Sequence, residues 1–518
     1  MSVSLPFAYP AIARRTYLPP SDAFEYAGFR GLLLAMVVSC VLGGIMWFAG
    51  RGHRGGQLYR KEAMAIVGLS WVFATVLGAL PYFFAQVSTA QGQPITFIEA
   101  MFEAQSGFST TGATVLTNLE DPLLVPHCIL FYRSWTHFLG GLGIVVLFVA
   151  ILGQGSAGKA MMQAEMPGPT NEGSMPRMQH AALAFAGIYV GFNAVLTGVY
   201  AMEGMTIFDA LCHAFATMAT GGFSTYNASL GQFDSALIDY TTIVFMILAG
   251  TNFTLLYLSI IGGGLRRLIA DVEFRSYLGV ITLVTIGVIF FGMTTGDEKF
   301  ESFGSSLRFG LFQVVSVITT TGYGTADFDS WNNFGRGVLL MLMFVGGCAG
   351  STGGGMKVIR HILLFKVLGQ EIEKAHHPRV RRPLRIGGQT IDDPGLPHSI
   401  VVYFAMVLVL FVTSWLALVT LEPNTTWGYV SEIRGSGGEI ATELEMENTL
   451  DEKLLDSASA VAATLNNIGP GLGVVGATQN YAGFSQGAKG LFTVLMMLGR
   501  VEIFCVLVML SPRFWRRV

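Results

Sequence analysis

Thr320-Thr321-Gly322-Tyr323-Gly324 lies between an apolar stretch at 305–319 and a longer one at 337–365. A helix rises about 1.5 Å per residue, so the first stretch reaches only about 20 Å, too short to cross a bilayer core, while the second can span it. The pattern reads as a half-helix entering, a glycine turn, and a spanning helix returning. It occurs three more times. Thr110-Thr111-Gly112-Ala113-Thr114 follows 97–109, Ala219-Thr220-Gly221-Gly222-Phe223 follows 207–219, and Asn467-Ile468-Gly469-Pro470-Gly471 follows 456–466. Taking Gly112, Gly221, Gly322 and Gly469 as equivalent gives separations of 109, 101 and 147 residues. The last interval is longer because it holds a basic linker (366–398) and an acidic one (422–456). Repetition on this scale organises everything else in the chain.

Working outward, runs long enough to span lie at 31–49, 63–86, 128–152, 181–202, 239–263, 277–296, 337–365, 399–421 and 488–511. The composition agrees: of 518 residues, 52% are hydrophobic and 13% charged, and the mean hydropathy is +0.54. A soluble protein carries about 25% charged residues, so there are too few here to coat a water-facing surface. Disorder is excluded by the apolar content, and a net charge of −3 gives no general attraction to nucleic acid. The expected fold is an all-α membrane protein with four pseudo-repeats of helix, pore half-helix, filter turn and helix around a central ion pore. One extra N-terminal helix precedes them. The divisions are 1–62 with that extra helix, repeats at 63–153, 181–263, 276–365 and 399–511, the linker 366–398, and a tail at 512–518.

Lysine and arginine placement sets orientation. With the half-helices entering from outside, the inner segments 50–62, 153–180, 264–276, 357–398 and 512–518 hold 4, 2, 3, 8 and 3 basic residues, 20 of the chain's 31. The N-terminus is then outside and the C-terminus cytoplasmic. No apolar core precedes Gly31, so a cleavable signal peptide is not expected. The five cysteines (Cys40, Cys128, Cys212, Cys348, Cys505) show no CxxC pairing and read as small buried apolar residues. His376 and His377 sit in the basic linker without a carboxylate or thiol to complete a metal site. The basic run Arg379, Arg381, Arg382, Arg385 reads as a solvated face suited to anionic lipid or an intracellular subunit.

The turns suit a dehydrated cation. The third is one methyl-for-hydroxyl exchange from the TVGYG loop of potassium channels, in which successive backbone carbonyls replace the water shell of the ion. Aiming carbonyls one way demands backbone angles closed to residues with a Cβ, hence glycine. A fixed carboxylate would hold the ion too tightly to release it, and the turns carry none. The candidate ligands are the backbones of Thr110, Thr111 and Gly112; Ala219, Thr220 and Gly221; Thr320, Thr321, Gly322 and Tyr323; and Asn467, Ile468 and Gly469. The half-helix dipoles would point their negative ends at the ion. Glu99, Asp209 and Asp456 near the outer ends fit that polarity and also fit plain helix capping, while the third stretch carries Arg308.

On these turns, on Ala164-Glu165-Met166-Pro167-Gly168-Pro169, on Gly346-Gly347-Cys348-Ala349-Gly350-Ser351-Thr352-Gly353-Gly354-Gly355 and on Gly499-Arg500-Val501-Glu502, the chain resembles the Trk/Ktr/HKT potassium transporter family, most closely its TrkH branch, over most of 29–517. The resemblance implies K+ as the transported ion with no organic cofactor in this chain. It also implies a homodimer in the bacterial plasma (inner) membrane, one pore per chain, and cytosolic TrkA-like nucleotide-binding regulatory subunits. In the related plant transporters, serine in place of the first filter glycine goes with sodium transport; four glycines here favour potassium. The chain departs from the pattern in having one helix rather than two before the first repeat, and in its longer acidic insertion.

Gly346, Gly347, Gly350, Gly353, Gly354 and Gly355 crowd into the middle of one span. A helix does not easily persist there, and irregular backbone at membrane depth must line a cavity or be buried in protein. The stretch reads as a gate beneath the filter, which the resemblance also implies, or as close helix packing through small residues. A nucleotide loop is excluded, because Lys357 follows Met356 with no GKS or GKT ending. Arg500, in the middle of the last span, must face the pore cavity or a partner. By the resemblance it lies below the filter near the glycine loop, slowing ions electrostatically or bonding loop carbonyls; a purely structural role is the other reading. Glu502 points to a different face, and Lys357 reads as a snorkelling interfacial residue. Function is then potassium uptake by channel-like conduction, with a K+ symporter coupled to H+ or Na+ as the alternative. An enzyme is not expected, since no HExxH or GxSxG stands within a span.

Overall fold

The computed structural model describes residues 1–8, 24–53, 60–89, 92–143, 178–295, 298–378, 384–387, 389–391, 395–424, 426–427, 443–501, 509 and 511–515. The motif at 164–169, the run Arg379–Arg382, residues 425 and 428–442 of the acidic insertion, Glu502 and Cys505 lie outside the described residues.

The protein is helical. In chain order the principal elements are α1 (Tyr26–Gly50), α2 (Arg60–Phe84), α3 (Phe97–Phe108), α4 (His127–Leu142), α5 (Met178–Met202), α6 (Ile207–Met218), α7 (Ala236–Ala249), α8 (Phe253–Leu258), α9 (Gly264–Ala270), α10 (Val272–Thr295), α11 (Phe303–Ile318), α12 (Asn333–Leu342), α13 (Val358–His376), α14 (Leu396–Leu421), α15 (Glu443–Leu465) and α16 (Gln486–Arg500). Between α13 and α14, β1 (Leu384–Ile386) and β2 (Gln389–Ile391) form a short antiparallel hairpin pairing Leu384 with Ile391.

Burial is inverted relative to a soluble protein. Five described helices, Tyr26–Gly50, Met64–Phe84, Leu183–Met202, Val272–Thr295 and Leu396–Leu421, are long and apolar enough to cross a bilayer. They turn large side chains outward: Val41 and Trp47, Leu283 and Phe290, and Leu408 are all exposed. Such faces belong against hydrocarbon. The short helices α3, α6 and α11 are instead buried, including polar Glu103, His213 and Gln313. Each begins at a hydroxyl cap: Thr96 accepts from the Glu99 amide, Thr206 from Asp209 and Ser302 from Ser305. An N-cap is worth about 1 kcal/mol, which fixes where each short helix starts.

Six expectations change. The run at 239–263 is broken: α7 stops at Ala249, and the chain turns at Gly250 before α8 restarts after the cap Asn252. The run at 337–365 is α12, an open loop at 343–357, and α13, which continues to His376 into the stretch read as linker. The run at 488–511 is interrupted after Arg500, where Val501 becomes extended, and 502–508 and 510 lie outside the described residues. In the first repeat α4 ends at Leu142 with Gly143 at φ 76°, and the remainder of 128–152 lies outside the described residues. The helix after each glycine turn therefore ends after 10–16 residues, beside Gly143, Gly250, Gly346 or Gly499. The fourth short stretch is the C-terminal part of a 23-residue helix, so Asp456 is interior to α15 rather than at its start. Cys40 is exposed, not buried; Cys128, Cys212 and Cys348 are buried as expected.

Candidate functional site

The four short-helix ends share one backbone. The amides of Thr111, Gly221, Thr321 and Ile468 donate to the carbonyls of Ser106, Ala216, Ser316 and Ala463 at 2.8–2.9 Å. This is the six-residue closure that ends a helix when the intervening residue turns left-handed. Those left-handed residues are Thr110 (φ 53°), Thr220 (54°), Thr320 (59°) and Asn467 (56°). Asparagine tolerates this region; a β-branched threonine does not, at a cost of about 1–3 kcal/mol each. Two residues on, φ is positive again at Gly112 (86°), Gly222 (74°), Gly322 (76°) and Gly469 (97°). Alternating left- and right-handed residues turn successive carbonyls to one side instead of to both, as a cation cage needs. The second turn therefore runs one residue later than its sequence suggests. The partner of Gly112 is Gly222, not Gly221, because the preceding helix ends at Met218 and Ala219 takes the last helical place.

The turns close on one another. A Cβ added to Gly112 would lie 2.2 Å from the Gly221 carbonyl oxygen; one on Gly222, 2.0 Å from that of Thr321; one on Gly322, 1.9 Å from that of Ile468; and one on Gly469, 2.5 Å from that of Thr111. The contacts run from first turn to second, third, fourth and back to the first. Gly112, Gly222, Gly322 and Gly469 line one cavity together with the ribbons that follow the turns. A second cavity is lined by Gly140, Gly143, Gly350–Lys357, Asn466 and Arg500.

Buried polar side chains hold the ribbons after the turns. Glu103 accepts from the Thr114 hydroxyl and the Val115 amide, and pairs with Arg133 on α4. Arg133 in turn donates to the Ser224 carbonyl at 2.9 Å and lies 3.4 Å over the Phe223 ring, so the pair ties the first ribbon to the second. His137 bonds the Gly107 carbonyl through Nδ1 and accepts the Phe223 amide on Nε2. His213 meets the Ser224 hydroxyl, and Asp209 accepts from Thr225 and Tyr226. Asp456 accepts the Val474 amide, and Gln313 donates to the Ala326 carbonyl. The acids read as possible caps thus brace ribbons, with Asp209 doing both and Glu99 capping α3 while pairing with Lys489. Three of the candidate ligands are engaged elsewhere: the Ala219 carbonyl accepts from the Thr220 hydroxyl, the Tyr323 carbonyl from the Ser316 hydroxyl, and the Gly469 carbonyl from Tyr481.

The glycine loop lies against the inner ends of the turns. The Gly354 amide donates to the Thr320 hydroxyl at 2.8 Å. A Cβ on Gly353 would stand 3.2 Å from the Thr319 carbonyl oxygen, and one on Gly354 only 2.6 Å from the Asn467 Cβ. The Thr352 amide and hydroxyl both reach the Ala249 carbonyl, and Gly350 O accepts from the Phe253 amide. Arg500 donates to the Thr352 carbonyl at 2.6 Å and the Gly140 carbonyl at 2.7 Å, joining the loop to the break after α4. Lys357 is buried, donating to the carbonyls of Gly353 and Gly354. It is no snorkelling residue, because the helix it precedes starts inside the protein. Gly346 and Gly347 form the loop's base through the Met356 carbonyl and the Val358 amide.

Every sequence-predicted turn and loop residue therefore falls in one contiguous region. Sequence reasoning missed Gly222, the Glu103–Arg133 pair and His137; a buried charge on an otherwise apolar stretch was the available signal for the pair. Among the described residues, no group of three or more His, Cys, Asp or Glu side chains could hold a metal ion.

A family model described as TrkH, cation transport protein, matches residues 31–428. The chain is 36% identical over 490 residues to the Trk system potassium uptake protein TrkH of Salmonella typhimurium, covering 94% of this chain and 92% of that one. It is 34% identical over 508 residues to the TrkH of Halomonas elongata, covering 97% and 96%. The crystal structure of the potassium transporter TrkH from Vibrio parahaemolyticus superposes with a TM-score of 0.77 at 32% identity, covering 99% of this chain and 97% of that one.

Proposed function

Because this chain belongs to the TrkH family of cation transport proteins, we propose that it takes K+ into a bacterial cell across the inner membrane by channel-like conduction. The ion is cargo. It sheds its water in the cavity beside Gly112, Gly222, Gly322 and Gly469 and passes through the ring formed by residues 110–112, 220–222, 320–322 and 467–468. There the carbonyl oxygens substitute for hydration, and the Tyr323 and Gly469 carbonyls serve as braces. The single observation that carries this reading is the cyclic contact of the four turns, each glycine against the next turn's carbonyl. Dispersed turns would offer no shared axis.

The loop Gly346–Gly355 is the gate. It fills the space under the turns, and Arg500 holds it there through the Thr352 carbonyl. The Arg500 charge beside the cavity adds an electrostatic barrier to any cation entering from the inner side. The N-terminus is outside and the C-terminus cytoplasmic. The chain works as a homodimer in lipid, with cytosolic TrkA-like nucleotide-binding subunits on the loop side.

The test is 86Rb+ uptake into vesicles containing the purified chain. Conduction requires that flux reverse at the potassium Nernst potential whatever pH or sodium gradient is imposed. A reversal point that moves with either gradient would replace conduction by coupled symport.

A further inference from the structure

Helix α13 follows the loop without a cap of its own. Lys357 occupies the N-cap position and makes no side-chain capping bond, although Ser, Thr, Asp or Asn there would satisfy the open amides. The missing acceptor comes from another helix. Glu273, in the first turn of α10 and buried, uses one oxygen, Oε1, to accept the Ile359 amide at 3.1 Å and the Ala349 amide at 2.8 Å. One carboxylate thus binds both ends of the loop beside the pairings of Gly346 with Met356 and Gly347 with Val358. Its own position at a helix start favours the negative charge.

We propose that Glu273 is the hinge anchor of the loop: a positioning residue that keeps the base closed, so that only the tip, 350–355, moves. The tip's holds are of a different kind. They are spread over separate partners, namely Ala249 (through the Thr352 amide and hydroxyl), Phe253, Thr320, Arg500 and the Lys357 ammonium, each of which can be released while the base stays folded. A base fixed to α10 limits the cost of opening to those contacts and returns the tip to the same place on closing. This rests on the loop being a gate.

The experiment compares 86Rb+ flux in vesicles for Glu273→Gln, Glu273→Asp and Arg500→Ala. Glutamine keeps a carbonyl oxygen at the same reach and accepts both amides, so flux equals that of the unaltered chain. Aspartate keeps the charge but is one methylene short and loses at least one bond, so basal flux rises about tenfold. Raised flux in Glu273→Gln, or unchanged flux in Glu273→Asp, overturns the hinge. Arg500→Ala separates the two ideas: if it raises flux while Glu273→Asp does not, the gate stands and the hinge falls, and if it leaves flux unchanged, the gate reading itself fails. Should the aspartate variant not fold, amide exchange of the 346–359 peptide in Glu273→Gln decides, with protection equal to that of the unaltered chain expected and faster exchange refuting the anchor.

Discussion

Replacing Gly222 with alanine tests the ring where sequence and structure disagree about register. At φ 74°, any residue with a Cβ pays about 1–2 kcal/mol for the left-handed backbone. The steric effect is larger. The new Cβ would begin 2.0 Å from the Thr321 carbonyl oxygen, where ordinary contact starts at 3.4 Å, so the second and third turns must separate by 3.4 − 2.0 = 1.4 Å. Backbone, not a flexible side chain, is what has to move. That displacement exceeds the difference in radius between K+ and Na+, so a cage fitted to one ion ceases to distinguish it from the other. We expect the ratio of K+ to Na+ permeability to fall at least about tenfold, equivalent to about 1.4 kcal/mol of lost discrimination. Reversal potentials under bi-ionic conditions measure it. Gly191→Ala is the control, since a Cβ there meets nothing within 4 Å; its selectivity should equal that of the unaltered chain. A Gly222→Ala protein that conducts with unchanged selectivity would refute the claim that these turns form the selective ring.

Two further outcomes follow from buried charges. Arg133→Gln leaves Glu103 buried without its cation, which costs about 3–5 kcal/mol; the thermal midpoint in detergent should drop, and adding Glu103→Gln should restore part of it, whereas no recovery would mean the two act separately. Lys357→Met removes the ammonium that donates to the Gly353 and Gly354 carbonyls; basal 86Rb+ flux should rise several-fold, and a fall would show that the lysine aids conduction instead of holding the loop.

The architecture was legible because it rests on counts that a sequence displays: stretches too short to span, each followed by a glycine turn and a longer run. The loop was legible for a similar reason, since six glycines in ten residues leave no helix to read. The breaks at Gly250 and after Arg500 were not, because hydropathy continues smoothly through both. What interrupts the helix is tertiary: the Gly250 carbonyl accepts the Cys348 amide of the loop, and a Cβ on Gly499 would collide at 2.0 Å with the Leu465 carbonyl oxygen. The register of the second turn was hidden by its two adjacent glycines. Only the helix end at Met218 decides which of them is left-handed. Glu273 was invisible for a third reason, as a cap is sought beside the helix it serves and this one lies 86 residues away.

Arg500 presents the sharpest physical conflict, a fixed positive charge beside a path for positive ions. Two of its bonds resolve part of it. Both acceptors are carbonyls, Thr352 on the loop and Gly140 before the break in α4, and both exist as acceptors only because those segments have left regular helix or are leaving it. Carbonyl acceptors orient a guanidinium without locking it as a bidentate carboxylate would. The residue can therefore do two things that separate under mutation. Arg500→Lys keeps the charge but loses the planar pair of donors, so it should release the loop while retaining the electrostatic barrier. Arg500→Ala removes both. If the bonds to the loop dominate, the two variants leak alike; if the charge dominates, lysine stays tight. Their flux ratio thus divides the gate into its mechanical and electrostatic parts.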